Sequence, residues 1–165
     1  VEVEKKGRPK VFGGCFGCQI IAVALGGSVS KNPGGEFVLK AENVTAIEPH
    51  FSSLLPARKQ PTFNLIVSHG YCISELPPGA TCLASSPSCK NEIYMAGQHS
   101  NILACQSHPE FHYGYAIKER IWKAVVEKFN RLSEEAVEEA RASFETFTRD
   151  DSNALCELIA DFLHS

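Results

Sequence analysis

Apolar positions in the first two-thirds of the chain come in short runs broken by glycine, proline and polar turns, whereas from Ile117 onward they recur every three or four residues. The first pattern predicts strands joined by tight connections and the second predicts amphipathic helices. Lys10–Phe12 is a short strand. It leads through Gly13 and Gly14 into a segment from about Phe16 to Leu25 in which Ile20, Ile21, Val23 and Ala24 leave hardly any polar face. Such a helix is expected to be buried, and Gly26-Gly27 ends it as a glycine C-cap would.

After a polar turn at Pro33, Gly34 and Gly35, strand-type residues from Glu36 to Ile47 predict two strands or one bent one. The proline-bearing stretch from Glu48 to Thr62 reads as loop, with at most one turn of helix around Phe51–Leu55. Strands are expected at Phe63–Ser68, Thr81–Ser85, Glu92–Ala96 and Ile102–Ser107. Pro77-Pro78-Gly79 forms a turn, and His99-Ser100-Asn101 pairs the last two strands. The remainder carries three helical stripes: Ile117, Ile121, Val125 and Phe129, widened by Trp122 and Leu132; Val137, Ala140, Phe144 and Phe147 after a Ser133 cap; and Leu155, Ile159 and Phe162 after Asp151 or Ser152.

With 165 residues, 44% of them hydrophobic, the chain fits one domain over 1–165, with a helical C-terminal extension from about 116 to 165. The net charge of -3 argues against a nucleic-acid partner. Charge is uneven, because Ser133 to the end holds nine acids and two bases, the pattern of solvated helix faces. No apolar run is long enough for a bilayer and no signal-peptide pattern opens the chain. Seven cysteines without a disulfide rhythm read as reduced thiols, so a soluble protein of the cytosol is expected. VEVEKKGRPK resembles the polar tail of a helix and the turn after it, as if the chain began inside a domain.

Candidate chemistry changes the picture at Val11–Ile20, VFGGCFGCQI. Cys15 stands at a strand-to-helix turn, where Gly13, Gly14 and Gly17 supply room and the helix N-terminus favours a thiolate. Three other readings of the same residues stand beside that of a nucleophile: an inert buried thiol, a Cys15-x-x-Cys18 redox pair, and zinc held with Cys105-x-x-His108. A nucleophilic cysteine needs a base and the base needs an orienting group. His108 follows a strand and precedes Pro109. Glu110, at i+2 of an extended segment, would share its side and hold the imidazole.

Gly13–Gln19, G-G-C-F-G-C-Q, and Gln106–Glu110, Q-S-H-P-E, resemble the G-x-C-x-G-x-Q and H-P-E signatures of the class I glutamine amidotransferase-like family. The resemblance implies an α/β fold, a doubly wound, flavodoxin-like and mostly parallel sheet flanked by helices, lacking here its N-terminal third. It implies a Cys15–His108–Glu110 triad that hydrolyses a γ-glutamyl amide through a thioester. The Phe16 N–H would be one oxyanion donor. Gln19 would contact the α-amino or carboxylate end of the glutamyl group, and the Ser68–Tyr71 run, through Gly70 and Tyr71, would grip the same end. No cofactor or metal is implied.

Phe16–Ala22, Asn91–Met95 and the three C-terminal helices are most similar to stand-alone γ-glutamyl peptidases, which implies a small glutathione-like substrate. The chain departs from that pattern at Cys18, commonly His, and at Tyr71, where an acid is common. The expected glycine-rich loop with the second oxyanion donor would lie upstream of Cys15. A protein partner or upstream segment would complete the sheet, and a weakly active or inactive subunit acting as an interaction partner is the alternative.

Overall fold

A computed structural model describes residues 9–54, 62–111, 117 and 119–165. Its strands are β1 (Val11–Gly14), β2 (Ser28–Lys31), β3 (Val38–Ala46), β4 (Thr62–His69), β5 (Tyr71–Glu75), β6 (Thr81–Ser85), β7 (Ile93–Ala96) and β8 (Ile102–Cys105). The helices are α1 (Phe16–Ala24), α2 (His50–Leu54), α3 (Glu134–Glu145) and α4 (Asp150–His164), with a π-helical segment at Lys123–Lys128 before α3. Six strands form a sheet in the order β1-β8-β7-β6-β3-β4, while β2 and β5 pair as a separate antiparallel ribbon.

The fold is α/β, with helices on both faces of the sheet, and strand alternation shows why. Phe63 and Leu65 on β4, Ile93 and Met95 on β7, and Leu103 and Cys105 on β8 share one core with Leu155, Leu158, Ile159 and Phe162 of α4. The intervening residues face the other way. Ile66 joins Leu39 and Ala41 in a core with Ala140 and Phe144 of α3 and Val125. Tyr94, Ala96 and Ala104 pack on Cys18 and Ala22 of α1. A buried leucine or phenylalanine contributes about 1.5–3 kcal/mol, so both helical layers are held by the same strands.

The expected mostly parallel arrangement is corrected over the described residues. β1 and β8 pair in parallel, but β7/β8, β6/β7, β3/β6 and β3/β4 are antiparallel. β7 and β8 are joined by a turn closed by Ser100 N–H on the Gly97 carbonyl at 3.1 Å, too short for the crossover that parallel pairing needs. β3 is one continuous strand, and β2 and most of β5 are strands that the apolar pattern does not predict. Residues 55–61 of the expected loop lie outside the described residues.

Three further expectations change. α1 is not buried all round, because Phe16, Ile20 and Val23 are more than half exposed while Cys18 and Ala22 on the opposite face are fully buried. The helix packs on β1 by one face only. Phe129 leaves its expected stripe and is exposed, because its N–H bonds the Ala124 carbonyl in an i→i−5 turn that adds a residue and rotates it outward. Residues 112–116 and 118 at the start of that stripe lie outside the described residues. α4 starts at Asp150, earlier than expected, whereas Ser133 caps α3 as expected, its Oγ accepting from Ala136 N at 3.2 Å.

Candidate active site

The parallel pair β1/β8 makes the site. Gly14 lies opposite Cys105, so both strands end at the same edge, and ligands of open α/β sheets bind beyond the carboxyl ends of strands. Cys15 follows β1 with its N–H on the Cys105 carbonyl at 2.8 Å, and Gln106, Ser107 and His108 follow β8. β4 ends beside them: His108 N–H bonds the Ile66 carbonyl at 2.8 Å, and the Cys15 thiol lies 3.9 Å from the Ser68 carbonyl.

Cys15 is held at φ 45°, ψ −107°, outside the regions that non-glycine residues prefer, and directly caps α1. Among the glycines, Gly13 is the one the turn requires: a Cβ there would collide with Ile21 Cδ1 and lie 3.0 Å from the Gly17 carbonyl carbon. Gly17 faces open space and Gly14 only ordinary contacts, so the room expected of them is not what shapes the turn.

His108 and Glu110 are brought together by a different geometry from the expected extended segment. The Phe111 N–H bonds the His108 carbonyl at 3.1 Å, closing a β-turn with Pro109 at its second position, where a fixed φ is favoured. Within that turn His108 Nδ1 lies 2.7 Å from Glu110 Oε1. The Phe111 ring stacks on the imidazole at 4.0 Å and 2°. Burial pulls the His108 pKa down, but the adjacent Cys15 thiol and Glu110 carboxylate outweigh it and raise it to about 9. Burial raises the Glu110 carboxyl, and the His108 partner more than offsets this, leaving it below the ordinary value.

Gln19, on the first turn of α1, donates through Nε2 to the Tyr71 carbonyl at 2.7 Å and to Gln106 Oε1 at 2.9 Å. Tyr71 therefore meets Gln19 through its backbone carbonyl, whereas Gly70 bonds Asn32. The Gly70 carbonyl accepts from Asn32 N–H at 3.1 Å. Phe16 is the first residue of α1, so its N–H has no partner within its own helix.

Several contributors are not evident from sequence. Gln106 is fully buried and continues the β8 alternation beyond Ala104, toward α1. That period-two relation to His108 is a signal the sequence does carry. Asn32, a lone amide in a turn, pins the end of β4: Nδ2 donates to the His69 carbonyl at 2.8 Å, and Oδ1 lies 2.8 Å from His69 Nδ1. Burial, with the nearby His108 charge, lowers the His69 pKa to about 4, so it stays neutral at pH 7. Beneath the His108 turn, buried Glu92 accepts from Ser107 N–H at 2.6 Å and from Ser86 Oγ at 3.1 Å.

Cys18 and Cys105 are buried, and burial raises both thiols strongly. Their sulfurs meet Gln106 Oε1 at 3.7 Å and Ser107 Oγ at 3.1 Å, respectively. Among the described residues no cluster of three or more His, Cys, Asp or Glu is placed to hold a metal, and all seven cysteines are free thiols. No helix of the described residues is long and apolar enough to cross a membrane.

Cys15, at a strained strand-to-helix turn, and His108, held by Glu110, thus come together where β1 and β8 end. The profile of the class-I glutamine amidotransferases matches residues 2–127, and the chain belongs to that family. It is 35% identical over 137 residues to a Saccharomyces cerevisiae protein named as a glutamine amidotransferase, covering 79% of this chain and 50% of that one. A glutamine-hydrolyzing GMP synthase of Hamiltonella defensa is 34% identical over 103 residues, 61% of this chain and 19% of that protein. A solved glutamine amidotransferase of Thermotoga maritima superposes with a TM-score of 0.69 at 22% identity, covering 93% of this chain and 62% of that one. The chain thus spans about half of the yeast relative and under two-thirds of the Thermotoga one.

Proposed function

We propose that the chain hydrolyses a γ-glutamyl amide with Cys15 as nucleophile, His108 as acid and base, and Glu110 as the group that orients His108. The observation that carries this is the placement of Cys15 and the His108–Glu110 turn at the adjoining ends of β1 and β8. His108, raised to about 9, holds a proton at neutral pH. A protonated imidazole beside a sulfur favours the thiolate.

The thiolate attacks the γ-carbonyl, and the Phe16 N–H stabilises the oxyanion, an effect commonly worth about 3 kcal/mol per donor. The tetrahedral adduct collapses as His108 passes its proton to the leaving nitrogen. Neutral His108 then takes a proton from water, whose oxygen attacks the thioester; the C–S bond breaks, glutamate leaves and the thiolate returns.

Gln19 sharpens the substrate. Both Nε2 protons are used, on the Tyr71 carbonyl and on Gln106 Oε1, so the free group is the acceptor Oε1. An acceptor suits the α-ammonium of a γ-glutamyl group rather than its carboxylate. Glutamine and a small glutathione-like γ-glutamyl peptide both carry that ammonium, and free thiols fit a reducing cytosol. Release of glutamate from glutamine and from γ-glutamyl-cysteinyl-glycine tests the reading. Cys15→Ala should lower it by at least about a thousandfold while the fold is kept; unchanged turnover sinks the proposal.

The exposed stripe of Phe16, Ile20 and Val23 beside β1 favours a second reading, in which a protein partner or a further segment of the same protein covers α1. In that reading the chain is a weakly active subunit. No glutamate release from either substrate, with tight copurification of a second protein, would support it.

A further inference from the structure

We infer that Gln106 is a further catalytic residue of this site, its amide N–H holding the Cys15 sulfur as a thiolate while its amide oxygen holds Gln19; the inference rests on the nucleophilic reading of Cys15. The side chain is fully buried, so each of its polar atoms needs a partner. Which atom points where follows from a chain of donors that begins at a carbonyl. The Tyr71 oxygen can only accept, so Gln19 must present its NH2 to it, at 2.7 Å. The same NH2 reaches Gln106 at 2.9 Å, so Gln106 must present its oxygen there. The Cys18 thiol, kept protonated by burial, meets that oxygen at 3.7 Å and agrees with the assignment. The Gln106 NH2 is thereby left for the Cys15 sulfur, 3.5 Å away.

A donor in that place acts on one charge state. A sulfur accepts a hydrogen bond more strongly as thiolate than as thiol or thioester. Gln106 therefore works in the resting enzyme and again when the thioester C–S bond breaks and its electron pair returns to sulfur. Since the same amide fixes Gln19, the register of the glutamyl group and the state of the nucleophile are set by one side chain.

The test is the pH dependence of iodoacetamide labelling at Cys15, read at the Cys15 peptide by mass spectrometry so that the other six cysteines do not interfere. In Gln106→Met, which keeps the length of the side chain and has neither the N–H nor a charge, the labelling midpoint should rise by about one pH unit. In Gln106→Leu the midpoint should rise by about one unit, and the KM for glutamine should rise with it as Gln19 loses its anchor. Should Gln106→Leu fail to fold, Gln106→Met decides. A midpoint unchanged in the folded variants overturns the inference and leaves Gln106 a packing residue. Labelling requires no turnover, so a Cys15→Ala enzyme that still releases glutamate would overturn the nucleophilic reading separately, with the labelling profile still reporting what Gln106 does to the sulfur.

Discussion

Glu110 Oε1 lies 2.7 Å from His108 Nδ1 across a turn that the Phe111 N–H closes on the His108 carbonyl. The turn fixes both the distance and the side of the ring that meets the carboxylate, leaving the opposite nitrogen for chemistry at Cys15. The imidazole is mostly buried, while the Glu110 side chain is 60% exposed, so part of their attraction is screened by solvent.

Glu110→Gln keeps an acceptor for Nδ1–H and removes the charge. The His108 pKa, raised to about 9 against the ordinary 6.5, should fall by about one unit, read by an NMR titration of the ring. Because the folded pKa is the higher one, the stabilisation is fully present below pH 6.5 and is lost as pH rises through 9. Wild type should therefore exceed Glu110→Ala by on the order of 1 kcal/mol in urea unfolding at pH 6 and by little at pH 10. An unshifted ring titration would show that the carboxylate does not govern His108.

The elbow makes a second demand, at Gly13. A Cβ would collide with Ile21 Cδ1 and lie 3.1 Å from Cys18 N, inside the contact between β1 and α1. Gly13→Ala should cost about 1–3 kcal/mol of stability and displace Cys15, lowering glutamate release more than tenfold. Gly17→Ala, which meets no atom within 4 Å, should do neither. Equal losses in the two variants would refute the crowding argument.

The residues that meet at the candidate site are largely legible because their local contexts are distinctive: a cysteine among glycines between strand and helix, and a histidine followed by proline and an acid. What brings them together is not. The β1/β8 pairing is a long-range contact on which period-two patterning is silent, since alternation marks faces but not neighbours. β2 was missed because SVSK carries a single apolar residue and pairs only with β5, with no core face to pattern it. The outward turn of Phe129 depends on one i→i−5 hydrogen bond, which a stripe of four-residue period cannot foretell. Asn32 gives no signal at all, because a turn asparagine that anchors a distant strand reads like any other turn asparagine.

Glu92 offers a pH test of the ground beneath the site. Its carboxyl is fully buried; burial raises its pKa and the nearby Glu42 adds to this, while the bonds from Ser107 and Ser86 pull it down, leaving it at about 7. The folded value lies above the ordinary 4.5, so the charged carboxylate is a burden on the folded state. That burden is relieved as pH falls from 7 toward 4.5 and is fully present above 7. Glu92→Gln keeps the acceptor for Ser107 N–H, 2.6 Å away, without the charge. The variant should therefore be more stable than wild type by about 1 kcal/mol at pH 8 and close to it at pH 5. Urea unfolding at the two pH values measures this. A variant destabilised equally at both would mean that the carboxylate's bonds to Ser107 and Ser86 outweigh its buried charge, so that the ionised group itself holds the turn carrying His108.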